Sequence, residues 1–518
     1  MRLFQHKEAY RALGFPEFRA YVIGNTFFTI ALLIQEVLIA YEIYKITHNP
    51  LALGLIGLAE AVPFISLVLF GGHFADNHNK KRIMQVTLSI IILASCILLY
   101  SSSQLRSGDS QMHIYVIYFV IFLIGLSKGF FNPAASSLNP FLVPKEVFAN
   151  AATWNSSFWQ FGSIIGPGVA GFLYAYAGIE GSLFIVILLL LVVMICILQI
   201  NSRPVPPKNI VHESIWQSLA EGISYVFKTK IILYAISLDL FSVLFGGVIA
   251  ILPIFAEDIL HVGAEGLGIL RAAPSIGAVI TMVTLIYFPP LNKAWRNLLL
   301  AIAGFGVATL VFALSTNFWL SVTALFFTGA FDSISVVIRQ TVLRFYTPDE
   351  MRGRVSSVNG VFVSTSNEMG AFESGVAAKF FGTIPSVIIG GCVTLVLVSI
   401  VAIKSGDLFN LNIEDELIEK LKNRISLIRV GNPMDKNTDL GAINSSEQLA
   451  RIKELADSGD IEGAMRWSPN CVLPSSGFWY PPTIFTGVSQ SHRIAREEIF
   501  GPVLSVLTFR TPAEAIEK

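Results

Sequence analysis

The sequence predicts an all-α membrane protein with twelve transmembrane helices in two six-helix repeats, followed by a C-terminal segment of partial α/β character. Three observations carry this prediction: long apolar runs, an internal repeat of about 204 residues and a change of composition near Ser405. Of the 518 residues, 53% are hydrophobic and only 14% are charged, whereas soluble domains average roughly 25% charged residues. The zero net charge argues against a nucleic-acid binder, which shows a basic excess. The apolar composition argues against a disordered or wholly soluble chain.

The distribution of charge divides the chain into two parts. Residues 405–518 hold 16 acidic and 12 basic residues, about a quarter of their number, as in an ordinary soluble domain. Residues 1–404 hold 20 acidic and 24 basic residues among far more positions. We therefore predict a first six-helix bundle at 1–201, a cytoplasmic linker at 202–228, a second six-helix bundle at 229–404 and a soluble segment at 405–518.

Runs of about 20 apolar residues identify the transmembrane helices, because backbone groups must bond one another where there is no water. Twelve such runs are present, at residues 20–46, 51–75, 83–103, 112–142, 148–178, 182–201, 229–256, 264–288, 296–316, 318–343, 355–381 and 384–404. The connections are short except at 202–228, where three prolines precede an amphipathic stretch suited to the membrane interface.

Basic residues set the predicted orientation of these spans. The segments on the side of the N-terminus hold 17 Lys and Arg residues, whereas the opposite side has Arg106 and, at helix ends, Lys45 and Lys379. Because positively charged loops stay in the cytoplasm, both termini are predicted to be cytoplasmic. The predicted membrane is an inner membrane of the bacterial type.

The two bundles are predicted to be repeats in the same orientation. An offset of 204 residues pairs Gly125 with Gly329, Pro144 with Pro348, Asn155 with Asn359, Gly166 with Gly370 and Gly171 with Gly375. Each pair alone is weak because Gly and Pro are frequent in membrane helices, but their order and register are preserved. Two such halves are expected of a transporter whose halves rock against each other.

A glycine, a carboxylate and a basic cluster follow the second predicted span. They are Gly72, Asp76, Lys80, Lys81 and Arg82. A glycine permits a tight exit from the helix, and a carboxylate near a helix end can hold a basic partner across the halves. The segment resembles the loop signature of the major facilitator superfamily, from which it departs at Asn77 and Asn79. The alternative is a loop that is positive only because it faces the cytoplasm.

Small residues recur along the fifth predicted span, at Gly162, Gly166 and Gly171, with Pro167 among them. Small residues let two helices approach closely, and a proline loosens the local backbone. An ordinary packing face is at least as good an explanation on physical grounds. The pattern also resembles the Gly-Pro signature of exporters in the superfamily, and that resemblance implies efflux rather than uptake.

A third set of motifs resembles the branch of the superfamily that contains the enterobactin exporter. The motifs are Asp239–Gly247, Leu252–Asp258, Gly268–Pro274, Asp349–Val355, Ser366–Glu368 and Glu373–Gly375. The resemblance covers about residues 12–404. It implies twelve helices and the use of the proton gradient to expel siderophores or drug-like molecules.

Ionisable residues inside the predicted spans are the candidate transport residues, because a charge near the bilayer centre costs roughly 2.5–3.5 kcal/mol and usually faces a cavity or a partner. They are Glu36, Glu42, Glu60, Lys128, Asp239, Arg271, Asp332 and Arg339. The resemblance implies that helices 1, 4, 7 and 10 line the cavity, and six of the eight fall there. We predict Glu36 and Asp239 as the first proton carriers, with Asp332 third.

Two further roles are assigned to these charges. Lys128 and Arg339 are predicted to modulate the carboxylates or to hold an anionic cargo. Structural roles are the alternative for each residue. Arg339 and Glu42 lie near span ends, where they can reach the interface, and Glu60 and Arg271 precede prolines at matching places in the two halves.

The soluble segment resembles a different family. Gly431–Gly441, Tyr480–Thr483 and Arg496–Val503 closely resemble a stretch from the catalytic domain of aldehyde dehydrogenases, and the resemblance implies nicotinamide-ribose contacts at Glu498 and Phe500. It covers about residues 414–518 and lacks the dinucleotide-binding domain, the glutamate base and the catalytic cysteine, which Cys471 cannot replace. We predict an inactive segment, joined by an accident of gene fusion, of sequence assembly or of gene annotation or, as the alternative, retained as a binding or regulatory tail.

The sequence thus predicts a proton-coupled exporter of small molecules that works by alternating access. Its predicted partners are a small-molecule cargo, protons and the lipid bilayer. No cofactor, metal or nucleic acid is predicted, and a monomer is the expected state. The alternatives are a membrane-anchored, NAD-linked aldehyde oxidoreductase, an uptake permease and a non-transporting membrane sensor.

Overall fold

The computed structural model describes residues 10–104, 110–202, 215–290, 292–409 and 412–509. The chain divides into two compact units. The first unit consists of Met1–Met282 and Leu298–Ser405, and the second of Val283–Asn297 and Gly406–Lys518. The first unit is helical, and its core is built of aliphatic and aromatic side chains from both predicted bundles.

The first half of the membrane body contains five long helical elements within the described residues: α1 Pro16–Thr47, α2 Pro50–Asn77, α3 Lys80–Gln104, α4 Ser110–Leu138 and α5 Phe148–Leu198. Short 3₁₀ turns occur at Ala12–Gly14, Asn139–Phe141 and Lys145–Val147. A proline begins α1 and α2, where the missing N–H has no intrahelical partner in any case. Asn49 caps α2 by accepting a hydrogen bond from the amide of Leu51 at 3.1 Å.

Element α5 contains two of the predicted spans, because its backbone is not helical at Gly178 (φ 66°, ψ −175°). Glycine adopts this positive φ without the Cβ clash that other residues would suffer. Before Gly178, Gly162 and Gly166 lie against Thr29 and Leu33 of α1, whereas Cys196, after it, lies against Gly24. The two arms therefore run in opposite directions along α1.

The second half follows an amphipathic linker helix, α6 Ile215–Lys228. Its helices are α7 Lys230–Gly246, α8 Gly263–Tyr287, α9 Ala294–Leu314, α10 Phe318–Tyr346, α11 Arg352–Phe381 and α12 Thr383–Lys404. Helix α6 is tied to this half, because Tyr225 Oη donates to the carbonyl of Tyr346 at 2.6 Å and Arg354 pairs with Glu221 at 2.5 Å.

The predicted span 229–256 is interrupted in the structure. Helix α7 ends at Gly246, and short turns follow at Ile249–Ile251, Leu252–Ile254 and Phe255–Ile259. Two adjacent glycines weaken a helix, and Pro253 has no N–H to continue it. Ser374 of α11 donates a hydrogen bond to the freed carbonyl of Gly247 at 2.9 Å, so this broken segment is tied to a neighbouring helix.

Ten helical elements of the described chain are long and apolar enough to cross a membrane by length and composition, whereas twelve spans were predicted. One difference is α5, which holds two predicted spans in a single element. The other is α11, where the predicted span 355–381 falls outside the ten. This helix contains Asn359, Asn367, Glu368 and Glu373. It packs between other helices, so its composition need not match lipid.

The second unit contains a small sheet with its own core. Its elements are α13 Ile413–Ser426, α14 Ser446–Ile461, α15 Arg493–Arg496, β1 Met465–Trp467, β2 Thr483–Val488 and β3 Val503–Leu507. The strand order is β1-β2-β3, with β1 and β2 antiparallel and β2 and β3 parallel. Ile452 and Leu455 of α14 and Phe485 of β2 are fully buried together.

Candidate functional site

An ion pair joins the two halves of the membrane body. Arg271 Nη1 of α8 lies 2.8 Å from Glu36 Oε1 of α1. The Arg271 side chain is only 5% exposed, whereas that of Glu36 is 37% exposed and lines a cavity. Arg271 Nε is buried without a hydrogen-bond partner among the described residues. Two residues that the sequence listed for separate roles are therefore direct partners, and one of them is a titratable carboxylate.

A second ion pair lies beside the first within the N-terminal half. Lys128 of α4 is paired with Glu60 of α2, and both line the same cavity as Glu36. Lys128 also interacts electrostatically with Glu36 and with Glu368 of α11. Gln35 lines this cavity as well. Its Oε1 accepts a hydrogen bond from Ser95 at 3.1 Å, while its buried Nε2 has no described partner.

Glu368 belongs to this charged cluster and was absent from the predicted site. It lies inside the predicted span 355–381, so the criterion that selected the other ionisable residues also selects it. With Glu368 included, three carboxylates (Glu36, Glu60, Glu368) face two cations (Arg271, Lys128). The cluster therefore carries one more potential negative charge than it balances.

The third ion pair lies in the C-terminal half and is fully internal. Arg339 of α10 is paired with Asp239 of α7, and their side chains are 4% and 7% exposed. The alternative from the sequence was that Arg339 lies near a span end and reaches the membrane interface. That alternative is wrong, because the Arg339 side chain is buried in this pair. Burying two charges is costly unless they are paired, so the pair couples α7 to α10, while Arg339 Nε stays without a hydrogen-bond partner among the described residues.

Asp332 lies near that pair but has no such partner. It lines a cavity of about 210 Å³ together with Thr328, Asn367 and the broken segment after α7. It also lines an adjoining small cavity with Asp239, Ser242 and Phe331. Within the described residues, no hydrogen bond or ion pair to Asp332 is present, and the buried Ser242 Oγ is likewise unpartnered.

Tyrosine–carboxylate hydrogen bonds also join the halves. Tyr41 Oη of α1 donates to Glu257 Oε2 at 2.6 Å, and Tyr44 donates to Asp258. Glu42, which the sequence placed near a span end, is buried and accepts a hydrogen bond from Tyr174 at 2.6 Å. All these groups lie near the end of the body where α1 ends.

The glycines predicted as an exporter motif serve two helix contacts. Gly162 and Gly166 face α1 in the same half, whereas Gly171 packs against Gly268 of α8 in the other half. A Cβ on Gly171 would lie 2.2 Å from the carbonyl oxygen of Ala264, so only glycine fits. Pro167 lies inside α5 between these contacts. The small residues form a packing face, and part of that face lies between the halves.

A second glycine contact joins the halves through α2 and α11. A Cβ on Gly375 would lie 2.5 Å from Cα of Gly54, and one on Gly57 would lie 2.9 Å from the carbonyl oxygen of Glu368. The close approach brings Glu368 beside the Glu60–Lys128 pair. Gly54 and Gly57 are near the start of α2, which is again the end of the body where α1 ends.

The residues of the predicted gating loop lie at the end of α2 and the start of α3. The prediction that the helix ends at Gly72 is wrong, because α2 continues to Asn77. No side chain approaches Gly72, and Lys80 is buried with its Nζ over the ring of Phe141. Lys81 Nζ donates to the carbonyl of Leu198 at 3.1 Å, and the Arg82 amide donates to Asn79. The side chain of Asp76 lies outside the described residues. The contacts of Lys80 and Lys81 are thus with their own half.

The two tail residues implied to contact a nicotinamide ribose are both exposed. The side chain of Glu498 is exposed, and Phe500 is 71% exposed with a positive φ of 48°. Gln448 holds this turn, donating to the carbonyls of Ile499 and Phe500 at 3.0 and 3.1 Å. The two residues therefore lie on the surface of the second unit.

A family model described as transmembrane secretion effector matches residues 8–426, about four fifths of the chain. The chain belongs to this family of major facilitator transporters. It is similar to the enterobactin exporter EntS of Escherichia coli O1:K1 / APEC, with 24% identity over 401 residues that cover 74% of this chain and 92% of that protein. Its fold is similar to the solved nucleoside transporter NupG, with a TM-score of 0.60 and 12% identity over 74% of this chain and 98% of the other.

The tail matches a second family model, the aldehyde dehydrogenase family, over residues 408–518. A betaine aldehyde dehydrogenase of Mesorhizobium japonicum is 41% identical over 110 residues, covering 20% of this chain and 23% of that enzyme. The transporter chain thus spans less than a quarter of the length of the betaine aldehyde dehydrogenases that it matches.

These comparisons confirm both predicted resemblances and the predicted fold class. The main body is a multi-pass secondary transporter of small molecules. The carboxylates and cations described above are the ionisable groups that its helices carry into the membrane, and they meet in pairs that hydropathy alone does not identify.

Proposed function

We propose that the transporter is a proton-coupled exporter that works by alternating access between its two halves. The observation that carries the proposal is the Glu36–Arg271 ion pair, because it joins the halves through a carboxylate that can take up a proton. A proton on Glu36 removes the charge that attracts Arg271. Protonation would then weaken one of the contacts that hold the halves together.

The other contacts between the halves support a gate at one end of the body. The Tyr41–Glu257, Tyr44–Asp258, Gly54–Gly375 and Gly171–Gly268 contacts all lie near the end where α1 ends and α2 begins. With both termini in the cytoplasm, this end is the outer face of a bacterial-type inner membrane. In this proposal the structure is a state closed to the outside, and loss of the contacts opens it.

The remaining charges are given roles by their partners. Asp239 is a second proton carrier, whose protonation would release Arg339 and so change the packing of α7 on α10. Lys128 and Arg339 both have carboxylate partners. We therefore propose that they balance those carboxylates, in preference to holding an anionic cargo. Asp332 remains the third candidate proton carrier.

Export is the proposed direction of transport. The support is the Gly162–Gly171 motif and the similarity to a protein named as an enterobactin exporter. A siderophore-like or drug-like small molecule is the corresponding cargo class. The proposed assembly is a monomer, with both halves of the pathway supplied by one chain.

Transport by the purified full chain in proteoliposomes tests this proposal. Dyes and siderophores are offered as cargo while a pH gradient is imposed and then collapsed. We expect cargo flux to fall when the gradient collapses, and we expect Glu36→Gln to remove that dependence. Glu265→Gln is the matched control, because Glu265 is an exposed carboxylate at the start of α8. Cargo flux that does not change when the pH gradient collapses, or full dependence on the gradient in Glu36→Gln, would contradict the proposal.

For the tail, we propose that no dehydrogenase activity is present. The support is the exposure of Glu498 and Phe500 and the short extent of the match. Purified full chain, supplied with NAD and betaine aldehyde, is expected to form no NADH above a heat-inactivated control. NADH formation that depends on both additions would establish the alternative, an oxidoreductase anchored to the membrane.

A further inference from the structure

The cavity of about 210 Å³ in the C-terminal half has a charge imbalance that the paired residues around it do not explain. Arg339 is matched by Asp239, whereas Asp332 has no hydrogen bond or ion pair within the described residues. An ionised carboxylate without a partner is costly in a low-dielectric interior. The cavity therefore contains a carboxylate whose ionised form has no counter-ion within the described residues.

The lining of the cavity is mixed rather than purely ionic. Thr328 and Asn367 supply a hydroxyl and an amide, while Val243, Pro274 and Phe305 supply apolar surface. Phe305 and Phe331 also flank Asp332 in the adjoining small cavity. Aromatic rings beside a carboxylate suit an organic cation, because the ring face attracts positive charge while the apolar surface accepts alkyl groups.

An unpartnered buried group gives independent support for a ligand. Ser242 is 4% exposed, its Oγ has no hydrogen-bond partner among the described residues, and it lines the adjoining cavity with Asp332. Buried hydroxyls are normally hydrogen-bonded. Ser242 of α7 thus faces Asp332 of α10 across the small cavity that adjoins the 210 Å³ space, and neither side chain has a hydrogen-bond partner within the described residues.

The size of the cavity suits an organic cation. A cavity of roughly 150 Å³ holds a molecule as large as benzene, and a water molecule takes roughly 30 Å³. In the 210 Å³ space, a metal ion would need several water molecules to fill the remaining volume, whereas a small alkylammonium group fills it alone. One wall runs from Gly246 to Ala250, where Gly247 and Val248 separate the end of α7 from the 3₁₀ turn Ile249–Ile251.

We propose that this cavity binds an organic cation, with Asp332 as its counter-ion, Phe305 as its aromatic wall and Thr328 and Asn367 as its hydrogen-bonding groups. The proposal rests on the proposed function in one respect: the cation is the charged group of the exported cargo. The site lies inside the C-terminal half, apart from the Glu36–Arg271 contact between the halves.

Equilibrium binding to the purified full chain tests the site without any transport step. The probes are choline, whose charge is permanent, and dimethylbutanol, its neutral carbon isostere. The wild type is expected to bind choline about tenfold or more tightly than the isostere, since only choline gains the Coulomb and cation–π attraction. Asp332→Asn is expected to remove this preference, and Phe305→Leu to reduce it.

The control for these variants is Glu373→Gln, a half-buried carboxylate of α11 that does not line the cavity; it is expected to keep the preference. Size-exclusion profiles show whether each variant is folded. If Asp332→Asn does not fold, the reduced choline preference expected of Phe305→Leu still tests the site. Equal binding of the two probes, no choline binding, or an undiminished preference in Asp332→Asn would overturn the site. A choline preference without proton-dependent flux would overturn the proposed function and leave the site standing.

Discussion

Glu36 and Arg271 are 235 residues apart in the chain, yet their side chains meet at 2.8 Å between two long helices. Such a contact forms only when the two halves pack together, so a change at either residue affects the packing between the halves. The same holds for Tyr41 and Glu257, which are 216 residues apart. At the scale of the residue, most of the predicted transport charges act as pairs, whereas Asp332, Glu368 and Glu373 have no ion pair within the described residues.

Removing one partner of the Glu36–Arg271 pair is predicted to destabilise the protein more than removing both. Arg271→Gln leaves the Glu36 charge unmatched, and breaking a buried pair costs about 3–5 kcal/mol, less here because Glu36 is 37% exposed. Replacing both residues by Gln leaves no unmatched charge. We expect the apparent melting temperature in detergent to fall in Arg271→Gln and to recover in the double variant. A double variant less stable than Arg271→Gln would show that the pair does not act as a unit.

At the scale of the element, two features of α11 decide how the body is assembled. Gly375 lets α11 approach α2 until their backbones touch, and Ser374 donates to the broken segment after α7. One stretch of a single helix thus contacts both the other half and the segment that lines the Asp332 cavity. A movement of α11 would therefore change both the contact with α2 and the segment that lines the Asp332 cavity.

Gly375→Ala is predicted to hold the halves apart at the α2–α11 contact. The new Cβ would lie 2.5 Å from Cα of Gly54, a backbone atom that cannot yield without a shift of the helix. We expect cargo flux in proteoliposomes to fall about tenfold or more, because displacing functional groups by about 1 Å is enough to cause losses of this size. Gly360→Ala in the same helix meets nothing within 4 Å and is expected to keep normal flux. Equal flux in the two variants would contradict the proposed role of the contact.

Ser374→Ala is predicted to leave the carbonyl of Gly247 without its donor. An unsatisfied buried polar group costs about 1–3 kcal/mol, and less here because this hydrogen bond is only part-buried. The variant is therefore expected to unfold at a lower temperature and to bind choline more weakly. Ser399→Ala removes only a hydroxyl that bonds within its own helix on an exposed face, and is the control. Equal melting temperatures for the two variants would show that the hydrogen bond does not support the break.

At the scale of the whole molecule, the chain combines a transporter body with a second unit that holds together by its own contacts. The second unit has a buried apolar core around Phe485 and a surface network of Arg451, Glu454, Arg493 and Glu497. Hydrogen bonds from Arg451 and Arg493 lower the pKa of Glu454, and hydrogen bonding with Arg493 lowers that of Glu497. The tail is therefore stabilised by carboxylates in their ionised form.

Acid is predicted to loosen the tail through these two carboxylates. Because their folded-state pKa values lie below the ordinary value of 4.5, their contribution is complete above that pH and is lost as the pH falls below it. We expect pepsin to cleave the tail of the full chain progressively faster through that range. Replacing both glutamates by Gln should flatten the dependence, whereas Glu498→Gln, an exposed carboxylate nearby, should not. An unchanged dependence in the double variant would exclude the network as its cause.

Much of this architecture is predictable from sequence, because apolar length alone marks a membrane helix. The turn at Gly178 falls on the last residue of the predicted span 148–178, just before the predicted span 182–201. The break after Gly246 was not predicted, although Gly246, Gly247 and Pro253 were signals for it inside the span 229–256. Hydropathy measures how apolar a span is and does not show where its helical backbone hydrogen bonds are interrupted.

The candidate site was predictable as a set of residues but not as a set of partners. A charge in an apolar run is conspicuous, and that criterion found Glu36, Asp239, Asp332 and Arg271. It does not say that Arg271 pairs with Glu36 while Asp332 stays unpaired, because those relations depend on how helices pack across the two halves. Glu368 meets the same criterion and was not selected, because α11 also holds Asn359, Asn367 and Glu373, among which one carboxylate is less conspicuous.

Proton movement driven by cargo tests the central claim most directly. Full-length protein is reconstituted in proteoliposomes with a pH-sensitive dye inside, and a cargo identified by the flux screen is added without any imposed gradient. A proton-coupled exporter is expected to move protons opposite to the cargo, so the internal pH changes only when cargo is present, and Glu36→Gln abolishes the change. Cargo transport with no change of internal pH in the wild type would contradict the account.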